Sequence, residues 1–153
     1  MRRIALAVFA AVLPLAGACA DDHHGGEDDP VNCAKETADE FVVGLQKTGT
    51  VLDVRLMSAT PAPPNRGDNE WIIQVKTVSG AAPVTGATIE VTPFMPTHQH
   101  GTPVKATVES MPSAGEYKLK SVNLWMPGVW ETTIEMMSSS GTDQVVYRFC
   151  IPS

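Results

Sequence analysis

The chain has 153 residues, enough for one ordinary domain plus appendages. Hydrophobic residues make up 43% and charged ones 18%, which is enough to bury a core and excludes disorder throughout. A net charge of −6 argues against nucleic acid as a partner, and twelve Gly with twelve Pro argue against a helical bundle.

Arg2 and Arg3 open the chain, an uncharged apolar run follows from Ile4 to Leu15, and Ala16-Gly17-Ala18-Cys19 ends the segment. A basic start, a short apolar centre and small residues predict a bacterial-type secretory signal over 1–18. The apolar run is too short to span a bilayer comfortably. Gly17-Ala18-Cys19 resembles a lipobox, in which Cys19 becomes the lipidated first residue, although Ala16 holds the usual Leu position. Ordinary cleavage in the Ala18-Cys19-Ala20 region is the alternative. The lipid reading anchors the protein to a membrane of the cell envelope, on its periplasmic or outer face. Removing Arg2 and Arg3 leaves 9 basic against 17 acidic side chains, so export shifts the net charge from −6 to −8.

Residues 19–32 include Asp21-Asp22-His23-His24-Gly25-Gly26-Glu27-Asp28-Asp29-Pro30, which has almost nothing to bury and reads as a solvated acidic tether. His23 and His24 can collect a divalent metal weakly there, but a plain linker is the simpler reading. Beyond the tether, residues 33–153 form the globular part. Cys33 and Cys150 stand at its two ends, and in an oxidising compartment they most simply pair as one disulfide. Metal ligation or thiol redox chemistry is the other use of such a pair, but the chain has no CxxC.

Residues 34–47 are ambiguous between a helical turn and a short strand at Phe41 to Leu45, and Lys47-Thr48-Gly49-Thr50 signals a turn. Clear period-two alternation then follows. Leu52, Val54 and Leu56 share one face, and Pro61 to Asn69 read as a loop. Trp71, Ile73 and Val75 alternate with Ile72, Gln74 and Lys76, and Ala87, Ile89 and Val91, then Val104, Ala106 and Val108, alternate with polar neighbours. Tyr117 and Leu119, then Trp130 to Met136, then Val145 to Ile151 complete seven strands, with an eighth possible at Phe41. Ser138 to Asp143 read as a hairpin turn. One apolar and one polar face per strand predict an all-β fold, an immunoglobulin-like antiparallel β-sandwich. In this register Cys150 falls on the polar face with Arg148, so the disulfide lies outside the core.

The one concentrated constellation is Phe94-Met95-Pro96-Thr97-His98-Gln99-His100-Gly101. His98 and His100 are two apart, so in an extended chain they project to the same side and can chelate one ion. Met95, Met111 and Met126 each precede a Pro, which predicts thioethers in loops instead of in the core. Thioether with imidazole suits copper, above all Cu(I), provided the loops share one end of the sandwich. The competing reading is that these Met residues cap the sandwich and the His residues hydrogen-bond within a structured loop.

Other chemistry fails on counting. A blue-copper site needs a Cys shortly before a His, and no His follows Cys150. A copper–zinc dismutase site needs more His than this domain owns. A zinc site of His98, His100 and a carboxylate lacks any supporting spacing. There is no GxSxG elbow and no Gly-rich phosphate loop, so no catalytic residue is assigned and an enzyme is not expected.

The stretches Pro61-Ala62-Pro63-Pro64, Gly67-Asp68-Asn69-Glu70-Trp71, Gly86 to Val91, Met95-Pro96-Thr97-His98-Gln99-His100-Gly101, Gly115-Glu116-Tyr117 and Met126-Pro127-Gly128-Val129-Trp130-Glu131 together resemble the YtkA-like family. These small exported or membrane-tethered bacterial domains are similar in pattern to FixH-type and CopC-like sandwiches. The resemblance runs from about Val51 to Ile151. It implies an immunoglobulin-like sandwich without known catalytic activity, and an association with copper drawn from relatives in copper handling. Residue by residue it falls on Met95, His98 and His100, then on Met126, Pro127, Gly128 and Trp130. Cys33, Cys150 and the acidic tether are additions to the family pattern.

Two functions follow as expectations. One is a copper-binding or copper-handling module with Met95, His98, His100 and Met126 as ligands and Met111 in reserve. The other is a structural or protein-interaction module of the envelope, in which the two His only stabilise their loop.

Overall fold

A computed structural model describes residues 30–153; the signal segment, Cys19 and the tether histidines His23 and His24 lie outside them. No helix among the described residues is long and apolar enough to cross a membrane. A 3-10 turn at Cys33–Lys35 is capped by Asn32, whose Oδ1 accepts from the Ala34 amide at 3.2 Å.

The described residues form nine strands: β1 (Leu45–Thr48), β2 (Leu52–Thr60), β3 (Gly67–Thr77), β4 (Thr88–Met95), β5 (His100–Gly101), β6 (Thr107–Ser110), β7 (Glu116–Leu124), β8 (Gly128–Ser138) and β9 (Gly141–Ile151). They form two antiparallel sheets in the orders β1-β2-β3-β7-β6 and β5-β4-β8-β9, an immunoglobulin-like sandwich. The core holds the apolar positions of the alternating runs, with Leu52, Val54, Leu56, Trp71, Ile73, Val75, Leu119, Trp130 and Ile134 all fully buried.

Three local features depart from the simple reading of the alternation. A bulge between Leu56 and Ser58 re-phases β2, so that Ala59 points inward. Ser121, at φ +55°, does the same in β7, where the inward set runs Tyr117, Leu119, then Val122 and Leu124. The strand therefore continues well past Lys120, where the alternation breaks in the sequence. Third, β3 starts at Gly67, inside the stretch expected to be a loop through Asn69. The prolines end at Pro64, so the later amides are free to pair, and Gly67, Asp68 and Asn69 pair with Leu124, Asn123 and Val122. Asn69 is buried, and its side chain is satisfied: Nδ2 donates to the Asn65 and Val122 carbonyls at 2.8 and 3.2 Å.

The ambiguous N-terminal strand lies one step later than Phe41 to Leu45. Val42 and Val43 form an exposed turn, because Gly44 takes a left-handed φ of +88° and its amide donates to the Leu56 carbonyl. β1 instead occupies part of the expected turn. Phe41 packs edge-on against Phe149, with centroids 6.1 Å apart. The expected strand at Val104 is likewise shorter, since β6 begins only at Thr107 and leaves Val104 outside it.

Cys33 and Cys150 form the expected disulfide across a sequence separation of 117. The segment it attaches is also held by Asp39, whose amide donates to the Arg148 carbonyl at 2.6 Å and whose Oδ2 accepts from the Arg148 amide at 2.8 Å. Asp39 also pairs with Lys47. Between the sheets, the Tyr147 hydroxyl donates to the Val54 carbonyl at 2.8 Å and approaches the Leu45 carbonyl at 3.3 Å. Burial, and secondarily the Asp39 charge, push the Tyr147 phenol above its ordinary range.

Asp143 closes the opposite end. Its Oδ2 accepts from the Val51 and Leu52 amides at 2.8 and 2.9 Å, and a Cβ on Gly49 would overlap its carboxylate. Burial raises the carboxyl pKa, but four backbone N–H donors (Val51, Leu52, Thr50 and Gln144) outweigh it, and the net shift is downward. A folded pKa below the unfolded one means that the unfolded chain binds more protons at low pH. This contribution is complete above the unfolded carboxylate value of about 4 and is lost as pH falls through the depressed folded value. Asp143→Asn is expected to lower stability at neutral pH by about 1–2 kcal/mol. In urea melts the gap between variant and wild type should be widest at pH 7 and narrow towards pH 2. A gap independent of pH would contradict this role.

Candidate metal centre

The inward alternation of β4 runs through Val91 and Pro93 to Met95, which is fully buried. This corrects the expectation that all three Met-Pro sulfurs stand in loops. Extending the Ile89–Val91 periodicity by four residues reaches Met95, so the strand carries this side chain into the core even though Pro96 ends it. The chain then turns over Pro96 to Gln99. The His98 amide donates to the Met95 carbonyl at 3.3 Å, Gln99 adopts φ +55° and its side-chain Nε2 donates to the Pro96 carbonyl. It returns as β5, where His100 stands directly opposite Met95. Opposite residues of an antiparallel pair present their side chains on the same face, with Cβ atoms about 5 Å apart. His100 and Met95 therefore share the inner face at this end.

His98 and His100 do adjoin, but not by extended spacing. A left-handed Gln99 separates them, with His98 exposed in the turn and His100 half-buried on β5. Their ring centroids are 5.8 Å apart and their planes meet at 50°. Two imidazoles sharing one ion, each nitrogen about 2 Å from it, have centroids roughly 5–6.5 Å apart, so the pair is already at bridging distance.

The connection from β7 to β8 supplies the other wall. Met126 is half-buried against the core, and its carbonyl accepts from Trp130 Nε1 at 3.0 Å. Gly128 has φ +127°, and a Cβ there would sit 2.8 Å from Met95 Cε. The backbone conformation is what favours glycine here, and the absence of a Cβ also leaves room for the Met95 methyl. The thioether end of Met95 is thus directed at the segment that carries Met126.

Met111 does not join them. It lies in the turn before β7, its amide donating to the Glu116 carbonyl at 2.9 Å, whereas Trp125 and Met126 follow the far end of that strand. Nine strand residues separate the two ends by roughly 30 Å. Only two of the three Met-Pro loops share an end, and Met111 leaves the candidate set. Among the described residues no group of three or more His, Cys, Asp or Glu can hold a metal ion. The zinc arrangement of two His and a carboxylate therefore has no third ligand there, and thioether sulfurs are the remaining donors of this cluster. Two imidazoles with two thioethers form a soft, neutral donor set suited to Cu(I).

Aromatic groups complete the site. His100 stacks on Trp125 with centroids 5.2 Å apart and planes at 26°, and meets Trp130 edge-on at 6.0 Å. Its Nδ1 lies 3.0 Å from the Gly101 carbonyl. Trp125 was not among the residues singled out from sequence, since no spacing rule connects it to a loop more than twenty residues earlier.

The end that holds this cluster is also where the chain enters the domain. Ile151 and Cys150 lie across from Gly128 and Val129, Cys33 is bonded to Cys150, and the Val31 amide donates to Ser153 Oγ at 2.9 Å.

The fold and the loop pair define an immunoglobulin-like sandwich with a Met/His cluster at one end. The YtkA-like family model matches residues 46–135, which contain Met95, His98, His100, Met126 and Trp130, and the chain belongs to that family. No curated protein matches the chain. Two solved structures of FetP from uropathogenic Escherichia coli are similar to it. One is a copper-bound variant, at 11% identity and a TM-score of 0.48, covering 71% of this chain and 95% of that one. The other is the protein as isolated after expression in the periplasm of E. coli, at 11% identity and a TM-score of 0.47, covering 72% and 95%.

Proposed function

We propose that this protein is a cell-envelope module that binds Cu(I) through Met95, His98, His100 and Met126 and passes it on without covalent chemistry. The observation that carries the reading is the convergence at one end of the sandwich. His100 faces Met95 across the β4–β5 pair, the His98 ring is 5.8 Å from that of His100, and Met95 points to the Met126 loop. Thioethers stay unprotonated at every relevant pH, and an imidazole binds a metal only through an unprotonated nitrogen, so Cu(I) and protons compete for the two His but not for the two Met.

In this reading Cys19 carries a lipid that anchors the protein in a membrane. The tether would then enter the domain at the same end as the metal cluster. A dozen residues reach at most roughly 40 Å, which keeps that end near the bilayer. A membrane-embedded envelope protein is the fitting recipient for the ion.

Competition for Cu(I) against a chelator of known affinity tests the reading. The His98→Ala/His100→Ala variant is expected to bind at least tenfold more weakly than wild type. Equal affinity in the two proteins would sink the copper proposal. The packing of His100 between Trp125 and Trp130 supports a second reading, an interaction module in which the loop is only a folded surface. That reading expects the double variant to lose melting temperature with no dependence on metal, and a rise in melting temperature on adding Cu(I) counts against it.

A further inference from the structure

Trp125 is a large indole that is 41% exposed, yet it is held in place from three sides. Its ring stacks on His100 at 5.2 Å, its Nε1 donates to the Gly101 carbonyl at 3.4 Å and its own carbonyl accepts from Arg66 Nε at 2.8 Å. The Gly101 carbonyl is also the partner of His100 Nδ1 at 3.0 Å. A carbonyl oxygen can only accept, so this contact requires the proton of the neutral ring to sit on Nδ1. Nε2 is then the nitrogen with a free lone pair. One acceptor therefore serves both rings, and the stacking stops the imidazole from turning away from it.

We infer that Trp125 is a positioning residue that holds His100 as its Nδ1–H tautomer, with Nε2 presented as the metal donor. Groups that hydrogen-bond the non-ligating nitrogen of a ligand histidine set its tautomer, and their loss commonly lowers metal affinity by about 10–100-fold. Here the carbonyl is the hydrogen-bond partner and Trp125 keeps the ring against it. The ligand role of Nε2 rests on the copper reading, whereas the tautomer can be measured without any metal.

Long-range proton–nitrogen correlation spectra of the metal-free protein, recorded at alkaline pH, report the tautomer directly. In wild type His100 should be predominantly Nδ1–H, while exposed His98 should show the Nε2–H form usual for a solvated imidazole. Trp125→Ala should return His100 to the solvated pattern and weaken Cu(I) binding at least tenfold. Trp125→Phe keeps an aromatic face and should retain most of the Nδ1–H population and the affinity. Wild-type His100 found as Nε2–H, or a tautomer unaltered by Trp125→Ala, would overturn the inference. A tautomer that behaves as stated in a protein with no affinity for Cu(I) would uphold the positioning role and overturn the copper reading instead.

Discussion

Removing the disulfide, as Cys33→Ala/Cys150→Ala, is expected to lower the stability of the domain by about 4–5 kcal/mol. The bond closes a loop across a sequence separation of 117, and the constraint it places on the unfolded chain grows with the logarithm of that length. At roughly 4 °C per kcal/mol for a domain of this size, the melting midpoint should fall by about 15–20 °C. The same shift should appear when wild type is melted under reducing conditions, because the bond is the only feature common to the two experiments. Part of the N-terminal segment should stay docked even so. Asp39 holds Arg148 by a backbone bond and a side-chain bond and pairs with Lys47, none of which needs the disulfide. A shift of only a few degrees would mean that these contacts alone account for the attachment.

Met95 gives the second large effect, and here the type of substitution separates packing from ligation. Met95 is fully buried at the end of β4, so Met95→Ala is expected to cost about 2–5 kcal/mol through the cavity it leaves. Met95→Leu nearly conserves volume and should cost less than about 1.5 kcal/mol. It nevertheless removes the sulfur, and Cu(I) affinity should fall tenfold or more with the fold intact. Met111→Leu, at the far end of β7, should leave that affinity unchanged. Equal affinities for wild type and Met95→Leu would show that the sulfur serves only the core.

The architecture was legible in the sequence because a sandwich writes its two faces as period-two alternation. The inward sets of β2, β3, β8 and β9 lie where Leu52, Trp71, Trp130 and Val145 begin them. Departures came where a single backbone conformation overrides composition. Gly44 turns the chain at Val42-Val43, although two β-branched residues favour a strand, and Ser121 re-phases β7 so that its second half does not continue the first. The loop motif was also legible, but the depth of its members was not. Met95 read as a loop residue from the Pro after it, when the periodicity before it was the stronger signal. Met111 and Met126 carry the same Met-Pro signature, and what separates them is that they flank opposite ends of β7. Trp125 was invisible for a related reason, since its role depends on a tertiary contact between loops distant in the chain.

Asp143 and Gly128 show the same limit from another side. Each looks like an ordinary turn residue in sequence. In the fold one caps two amides of a different turn, and the other leaves the gap that the Met95 methyl fills. Both act between elements more than thirty residues apart, so no local pattern reports them.

The coordination sphere of the Cu(I)-loaded protein, read by X-ray absorption, is the most direct measurement of the central claim. One equivalent of Cu(I) should show both imidazole nitrogen and thioether sulfur neighbours, the sulfur shell at about 2.3 Å. That sulfur shell should shrink in Met95→Leu and disappear in Met95→Leu/Met126→Leu, while the nitrogen shell should be lost in His98→Ala/His100→Ala. A wild-type spectrum with nitrogen and oxygen neighbours only, or a sulfur shell indifferent to both Met substitutions, would contradict a Met/His copper site at this end of the sandwich.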